Sequence, residues 1–347
     1  MRRSFLQMCA GLAALALQPV SVRAADPDNW TLFKRRFLRD GERIADTGNE
    51  DVSHTESQGW GMLFAEDNDD RETFQKLWEW TASTLRRPDG LFSWRWSAKD
   101  KNHVADKNNA ADGDILIAWA LARAAKRWDD PRLAAQSQDI RNAIAQHLLV
   151  ELQGKLTLLP GIQGFARKDG HVVNLSYYVW PAIASFASMG GEHAGDWKRL
   201  QTDGLSLLDK AEFGTFHLPP DWLLVGERDL RIAEGWPPHF GFDAVRIPLY
   251  LAWHNEGPRL GRFLALWRAP QFGGKPPAWI NLRDGGIAPF PAPGGYTAIF
   301  ALCQFVGEGF KTDPPVAGVI EGDDYYSASL KLLSNIAARE APSAGRP

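Results

Sequence analysis

The stretch NNAADGDILIAWALARAA, residues 108–125, places two acidic residues directly before an amphipathic helix pattern. The apolar residues of this pattern recur at the spacing of one helix face, at Ile115, Ala118, Trp119, Ala122 and Ala125. Asp112 or Asp114 can cap this helix or face its positive end, and either role needs only one carboxylate. The stretch therefore predicts a long helix and a second carboxylate that is free for another purpose.

The same helical spacing recurs along most of the chain. Before the quoted stretch it is carried by Phe74, Leu77, Trp78, Thr81 and Leu85. Asp130-Pro131 supplies an N-cap followed by proline, and predicts a helix that continues through Leu148. Further helices are predicted near residues 177–188, 197–211, 242–254, 259–268, 296–306 and 324–338. The best strand patterns, Leu91–Trp96 and Lys155–Leu159, are short. Helices without strands between them exclude a doubly wound sheet and predict an all-α protein.

The composition is that of a soluble globular protein with near-balanced charge. The 347 residues include 42 acidic and 39 basic side chains, for a formal net charge of −3. This balance argues against a protein that binds nucleic acid or an anionic membrane, because such binding needs an excess of Lys and Arg. The chain contains 15 Trp but only 6 Tyr and 4 Met. So many large flat side chains are expected to serve core packing or a ligand.

The N-terminal residues predict a signal peptide over residues 1–24. Arg2 and Arg3 form a basic start, an apolar stretch covers residues 10–17, and small residues precede a cleavage site after Ala24. This pattern fits either the Sec or the twin-arginine route, and places the mature protein in the periplasm or outside the cell. The apolar stretch is too short to span a membrane, so no stable membrane insertion is expected after cleavage.

The mature chain is expected to form one large domain over residues 25–340, followed by a frayed tail over residues 341–347. No linker of biased composition divides it. Cys303 is the only cysteine left after cleavage, so no intramolecular disulfide can form.

Two further segments carry acids whose role the residues alone leave open. In SHTESQGWGM, residues 53–62, Ser53 and Glu56 match a capping box, but Glu56 also stands beside small residues and Trp60. A carboxylic acid packed against Trp keeps its proton to higher pH, as a general acid requires. In GFDAVR, residues 241–246, Asp243 and Arg246 are spaced as an ordinary surface ion pair or as part of a site.

Together these segments resemble glycoside hydrolase family eight, formerly cellulase family D. Glu56 lies in a segment Glu-x-Gln-Gly-Trp-Gly-Met, where that family keeps its proton donor. Residues 110–118 look like the family signature around a second acid, and its first aspartate, matched by Asp112, is traditionally labelled the nucleophile. Phe242–Arg246 resembles the segment that carries the catalytic base in cellulase members, and Tyr177 falls where they place an active-site tyrosine.

Within that family the likeness is greatest to the periplasmic endoglucanases of bacterial cellulose-synthesis operons. The resemblance implies an (α/α)6 barrel of six helical hairpins with a few short strands in loops. It also implies hydrolysis of internal β-1,4 bonds of cellulose or cello-oligosaccharides with inversion, without a cofactor, accessory to cellulose synthesis and with a cellulose synthase complex as a candidate partner. One departure is Ala111, where the family usually has Ser or Thr.

Inversion assigns distinct roles to the acids. A protonated carboxyl gives its proton to the leaving oxygen, and an ionised carboxylate roughly 6.5–9.5 Å away activates water on the opposite face of the sugar. We assign Glu56 as the acid and Asp243 as the base, with Arg246 keeping Asp243 ionised by its opposite charge. Because inversion forms no covalent intermediate, Asp112 is expected to bind and distort the sugar rather than act as a nucleophile.

Aromatic and polar side chains in the loop segments are the candidates for binding a glycan, because aromatic rings offer rigid surfaces to sugar C–H faces. The candidates are Trp60, Trp94, Trp96, Asp114, Tyr177, Trp180, Trp236, His239 and Arg246. Trp78, Trp119 and Trp128 match helical apolar stripes and are expected in the core. No metal-ligand pattern is present. Alternatives that stay open are a chitosanase or xylanase of the same family, and a catalytically silent glycan-binding protein.

Overall fold

The computed structural model describes residues 27–342, so the predicted signal peptide and most of the predicted tail lie outside the described residues. This part of the chain forms eleven α-helices: α1 Pro27–Phe37, α2 Thr55–Asp67, α3 Arg71–Leu85, α4 Ala111–Trp128, α5 Pro131–Leu148, α6 Trp180–Ser188, α7 Ala194–Lys210, α8 Arg246–Trp253, α9 Gly261–Trp267, α10 Gly294–Gly307 and α11 Tyr325–Glu340. Short 3-10 helices cover Leu175–Tyr177, Gly257–Leu260 and Pro270–Phe272. The helices predicted from apolar periodicity are confirmed, whereas α1 was not predicted.

Alternate helices pack into a closed inner ring. Contacts run from α2 to α4, from α4 to α6, from α6 to α8, from α8 to α10 and α11, and from α11 back to α2. The helices α3, α5 and α7 each pack against the preceding ring helix, and α1 packs against α11. Nearly every residue of α2 and α11 is buried, as a position in the inner ring requires.

Strands are short and lie in the connections between helices: β1 Leu38–Arg39, β2 Arg43–Ile44, β3 Ser53–His54, β4 Arg95–Trp96, β5 Leu149–Leu152, β6 Lys155–Leu158, β7 Ala166–Arg167, β8 Gly170–Val173, β9 Leu223–Val225, β10 Leu230–Ile232, β11 His239–Phe240 and β12 Ile280–Asn281. They form the antiparallel pairs β1–β2, β3–β4, β5–β6 and β11–β12, and one four-stranded sheet in the order β10-β9-β8-β7. No sheet within residues 27–342 closes on itself.

The two predicted strands have different outcomes. Lys155–Leu159 forms β6, which pairs with β5 in a hairpin. Of Leu91–Trp96, only Arg95–Trp96 becomes a strand. Phe92 and Ser93 form isolated bridges with different partners, and the Phe92 N–H donates to the Asp114 carboxylate at 2.9 Å and not to a neighbouring strand. The sheet β7–β10 was not predicted, since strands of two to four residues leave too little alternation to detect.

The core extends through the ring and is built from the predicted apolar faces. One hydrophobic cluster contains residues from Trp30 in α1 to Ala338 in α11. The predicted core residues Trp78 and Trp119 are buried, and Trp128 is partly buried against the same cluster. None of the helices in the described part of the chain is both long enough and apolar enough to cross a membrane.

Two glycines of α2 permit close packing inside the ring. A Cβ atom on Gly59 would lie 2.6 Å from the Leu116 Cβ of α4, and one on Gly61 would lie 2.6 Å from a side-chain carbon of Ile44. Both glycines therefore make room for neighbouring parts of the protein. This close contact fixes the start of α2 against the start of α4.

Gly59→Ala should destabilise the fold by about 1–3 kcal/mol, because the added methyl group must separate α2 from α4. Urea unfolding followed by circular dichroism measures this change. Gly195→Ala is the matched control, since a Cβ atom there meets nothing within 4 Å and alanine favours the helix. Equal unfolding midpoints for the two variants would contradict the tight contact at Gly59.

Candidate active site

The three predicted acids meet at one end of the helix ring. Glu56 lies in the first turn of α2, Asp112 lies in the first turn of α4, and Asp243 lies in the turn before α8. Residues far apart in the sequence therefore converge because the starts of α2, α4 and α8 face a common space. Helix N-termini carry partial positive charge, which favours carboxylates at these positions.

Arg246, the first residue of α8, joins the three acids through one guanidinium group. Its Nη1 contacts Glu56 Oε2 and lies 3.6 Å from Asp112 Oδ2, while its Nη2 lies 2.7 Å from Asp243 Oδ1. Nη2 also donates to Ser176 Oγ at 2.9 Å. The Arg246 side chain is only 6% exposed, so this is a buried charge network and not the surface ion pair that its spacing also allowed.

The capping arrangement leaves the Glu56 side chain free. The N-cap of α2 is His54, whose side chain accepts the Ser57 N–H, while Ser57 Oγ accepts the His54 N–H. The capping box that Ser53 and Glu56 could have formed is therefore displaced by one residue. Because Glu56 has no capping role, its carboxyl group points to Arg246 and the neighbouring acids.

Asp243 is held in an environment that favours its protonated form. Its side chain keeps 30% exposure, yet burial, followed by the negative charges of Asp221 and Asp112, raises its pKa well above the ordinary value. The Asn174 amide and the Trp222 indole act in the opposite direction by hydrogen bonding. Arg246 was expected to keep Asp243 ionised, and it does make the contact, but the net shift of the Asp243 pKa is upward.

The two aspartates of the quoted stretch have separate surroundings. Asp112 accepts the Gly113 N–H at 2.8 Å and is not the N-cap, a position held by Ala110. Burial raises the Asp112 pKa to about 6. Asp114 was predicted to bind substrate, but it is fully buried and accepts hydrogen bonds from the Phe92 N–H and the Asn109 amide. Asp114 therefore holds the loops beside α4, and burial raises its pKa to about 8.

A family model matches nearly the whole chain. The model described as "Glycosyl hydrolases family 8" matches residues 5–340. The chain belongs to glycosyl hydrolase family 8. The family predicted from the three motifs is therefore confirmed.

Individual proteins are similar to this chain over most of their length. An endoglucanase of Cellulomonas uda is 44% identical over 277 residues, which cover 78% of this chain and 75% of that protein. A probable endoglucanase of Novacetimonas hansenii is 39% identical over 317 residues, 90% of each chain. The crystal structure of the endoglucanase Cel10 from Klebsiella pneumoniae superposes with a TM-score of 0.84 at 42% identity, covering 91% of this chain and 100% of that one. Together with the ring of helices, this likeness confirms the predicted (α/α)6 barrel.

Two of the predicted aromatic residues border the family 8 acids. Tyr177 ends a 3-10 helix, and the central carbon of the Arg246 guanidinium lies over the Tyr177 ring, 5.8 Å from the ring centroid. Trp94 is half-buried, and its carbonyl accepts the N–H of Thr55, the residue before Glu56. The Trp94 indole donates to Asp106 Oδ2 at 2.8 Å, which fixes the orientation of the ring at the edge of the site.

Three other predicted sugar-binding tryptophans do not offer an open ring. Trp60 and Trp180 are fully buried in the core, so the prediction that they contact a glycan is wrong. Trp96 lies under the Arg43 guanidinium, 4.5 Å from its ring centroid, and packs edge-on against Trp80. These rings stabilise the barrel.

Trp236 belongs to a stack of aromatic rings beside the site. Trp222 stacks on it at 4.8 Å, Phe165 stacks on Trp222 at 5.8 Å, and the Arg167 guanidinium lies 5.0 Å from the Trp236 centroid. The rings cover one another, so Trp236 supports Trp222 and is not the free platform that its sequence position suggested. The predicted sugar contact of His239 stays a prediction: its ring stacks on Trp279 at 4.1 Å, and burial lowers its pKa.

Several residues at the site were not predicted. Asn174 and Trp222 face Asp243, and Asp221 binds the backbone of the turn that carries it. Phe242 is 46% exposed directly beside Asp243 and contacts Tyr296 and Tyr326. Neighbourhood along the chain could have indicated Phe242, whereas Asn174, Asp221 and Trp222 reach the site only through the fold. Among the described residues, no group of His, Cys, Asp and Glu side chains could hold a metal ion.

Proposed function

We propose that this chain is an endo-β-1,4-glucanase that cleaves internal bonds of cellulose or cello-oligosaccharides with inversion. The observation that carries the proposal is the convergence of Glu56, Asp112 and Asp243 on the Arg246 guanidinium. The similar family 8 proteins support the substrate class, because they are named endoglucanases. A structure of similar fold from Acetobacter xylinum, 37% identical with a TM-score of 0.83, is described as endo-beta-1,4-glucanase CMCax.

The acids divide the reaction between two faces of the sugar ring. Glu56 donates its proton to the glycosidic oxygen as the bond to the anomeric carbon breaks. Asp243 removes a proton from a water molecule that attacks the same carbon from the opposite face. The arrangement needs a gap of roughly 6.5–9.5 Å between the two carboxyl groups, which holds the sugar and the water.

Asp112 and Arg246 prepare this arrangement. The Arg246 guanidinium lies among the three acids and compensates their charge. The raised pKa of Asp112 gives a carboxyl group that can accept from or donate to a sugar hydroxyl near neutral pH. Asp112 therefore suits binding and distortion of the sugar at the cleavage point.

Parallel viscosity and reducing-end assays on carboxymethyl-cellulose, chitosan and xylan test the proposal. We expect carboxymethyl-cellulose to lose viscosity long before many reducing ends appear, because internal cleavage shortens long chains first. Faster thinning of chitosan or xylan would assign the other substrate. Binding without any new reducing ends would identify a silent glycan-binding protein.

Trp94→Ala should raise KM for cellohexaose by about tenfold and affect cellotriose less, because a ring at the edge of the site contacts only sugars far from the cleaved bond. Trp94→Phe, which keeps an aromatic face, should retain most of the affinity for cellohexaose. Steady-state kinetics on the two oligosaccharides measures the difference. Equal losses on both, together with a lower melting temperature, would show instead that Trp94 serves packing.

We also propose that the protein is exported to the periplasm or the medium and assists cellulose synthesis, in contact with a synthase complex. The support is the basic and apolar pattern of the first 24 residues and the resemblance to endoglucanases of cellulose-synthesis operons. Cell fractionation with N-terminal sequencing should find the mature chain outside the cytoplasm, beginning near residue 25. Full-length protein in the cytoplasm would contradict export. Unchanged cellulose output in a deletion strain would contradict a role in cellulose synthesis.

A further inference from the structure

Asp221 connects both ends of the segment that carries Asp243. Its Oδ1 accepts the backbone N–H groups of Gly241 at 3.0 Å and Ala244 at 2.7 Å. Its own backbone N–H donates to the His239 carbonyl at 2.7 Å. Residues 241–245 belong to no strand or helix, so these bonds supply anchoring that regular structure would otherwise give.

The contact between Asp221 and this turn has no spare room. A Cβ atom on Gly241 would lie 2.9 Å from Asp221 Oδ2 and 3.2 Å from the Trp279 Cβ. A glycine at this position therefore lets the Asp221 carboxylate and the Trp279 Cβ atom lie close to the backbone. As a result, the position of Asp221 determines where the turn places the Asp243 side chain.

Asp221 also lacks a cationic partner. Within residues 27–342 it forms no ion pair, whereas Arg246 contacts the other three acids of the site. Burial raises the Asp221 pKa to about 6, although three backbone N–H groups favour the ionised form. A turn anchor alone could be a neutral Asn or Ser, so a partly buried carboxylate beside other acids indicates a use for its charge.

The charge of Asp221 acts on Asp243. Among the neighbouring charges it is the largest contribution that raises the Asp243 pKa, ahead of Asp112. The charged and titratable groups that face Asp243 from the surrounding elements are Asp112, Tyr177, Asp221, Arg246, Tyr296 and Tyr326. Arg246 is the one cation in this set, and the charge of Asp221 acts on Asp243 in the opposite direction.

We propose that Asp221 is a positioning residue for the general base: its carboxylate fixes the turn at residues 241–244, and its negative charge makes Asp243 a stronger proton acceptor. This inference rests on the proposed function, in which Asp243 activates water. Without Asp221, Asp243 would lose a negative neighbour that opposes Arg246 and would be a weaker base.

Asp221→Asn tests the role of the charge, because the amide keeps an oxygen for the N–H groups of Gly241 and Ala244 and removes the charge. We expect kcat on cellopentaose to fall by about tenfold with KM changed less than about twofold, since substrate contacts remain. Loss of a negative neighbour favours ionised Asp243, so the acidic limb of the kcat–pH profile should move to lower pH. Asp221→Ala should lower kcat by about a hundredfold, because the turn also loses its acceptor.

The controls separate this inference from the proposed function. Asp229→Asn, at an exposed position, should leave both kcat and the pH profile unchanged. An inactive wild-type enzyme, or an active Asp243→Asn variant, would refute the proposed function whatever Asp221 does. If the wild-type enzyme is active and Asp243→Asn is inactive, the proposed function stands. If Asp221→Asn then has the kcat and the acidic limb of the wild-type enzyme, the inference about Asp221 is wrong.

A measurement on the wild-type enzyme covers the case in which neither Asp221 variant folds. Carboxyl carbons of 13C-labelled aspartate report ionisation, and the Asp243 signal is identified by its absence in Asp243→Asn. We expect Asp243 to titrate in two steps, because its ionisation is linked to that of a neighbouring acid. A single step at the ordinary pKa of an aspartate would overturn the inference.

Discussion

Glu56→Gln should lower kcat on cellopentaose by about three orders of magnitude and leave KM within about threefold of the wild-type value. Glutamine keeps an oxygen for the contact with Arg246 but cannot donate an acidic proton to the leaving oxygen. Since His54 and Ser57 form the capping box, the substitution removes no bond that holds the start of α2. Steady-state kinetics and a melting curve measure the two effects separately.

A substrate whose leaving group needs no protonation tests whether Glu56 is the proton donor. Fluoride departs without protonation, so the loss caused by Glu56→Gln should shrink to about tenfold on β-cellobiosyl fluoride. Glu79→Gln, on the exposed side of α3, serves as the control and should match the wild-type enzyme on both substrates. An equally large loss on the fluoride and on cellopentaose would mean that Glu56 is not the proton donor.

The barrel was predictable because helical signals are local. The apolar stripe of α4 and the Asp130-Pro131 start of α5 each lie within a few residues of the structure that they specify, and both were identified. Even so, local patterns can overlap. Ser53 with Glu56 and His54 with Ser57 both fit the start of α2, and the three-dimensional structure selects the second pair.

The burial of individual tryptophan side chains was harder to predict than the positions of the helices. Trp60 and Trp180 stand beside loop residues in the sequence, yet each points into the interior of the ring, where an indole fills a large volume. Trp94 has a similar sequence neighbourhood but is held at the edge of the site by Asp106. The face of a helix or loop that meets the core depends on how all the helices of the inner ring pack together. Patterns of neighbouring residues in a single sequence do not reveal that packing.

The support of the catalytic base was not predictable for the same reason. Asp221 follows two prolines and precedes Trp222, a context that matches no motif. Its bonds to the backbone of Gly241 and Ala244 span 20 and 23 residues, and they exist only because β11 and the turn before α8 lie beside it. Motifs identified the groups that act on the substrate, whereas the residues that position them emerge from tertiary contacts.

Asp243→Asn should lower kcat by about three to four orders of magnitude on cellopentaose and on β-cellobiosyl fluoride alike. The amide cannot accept a proton from water, and a better leaving group does not replace that step. An equal fall in kcat on the two substrates distinguishes Asp243 from Glu56, because the fall in kcat caused by Glu56→Gln should depend on the leaving group. Asp229→Asn is again the matched control, and a melting curve confirms that the variant is folded.

The stereochemistry of the product tests the same assignment in the wild-type enzyme. Water that Asp243 activates attacks the face opposite the leaving oxygen, so a β-linked substrate should first yield the α-anomer. Proton NMR within the first minutes, before mutarotation, measures the ratio of anomers. A β-anomer as the first product would require a covalent intermediate. The nucleophile would then be Asp243 itself or Asp112, which contacts the same Arg246 guanidinium.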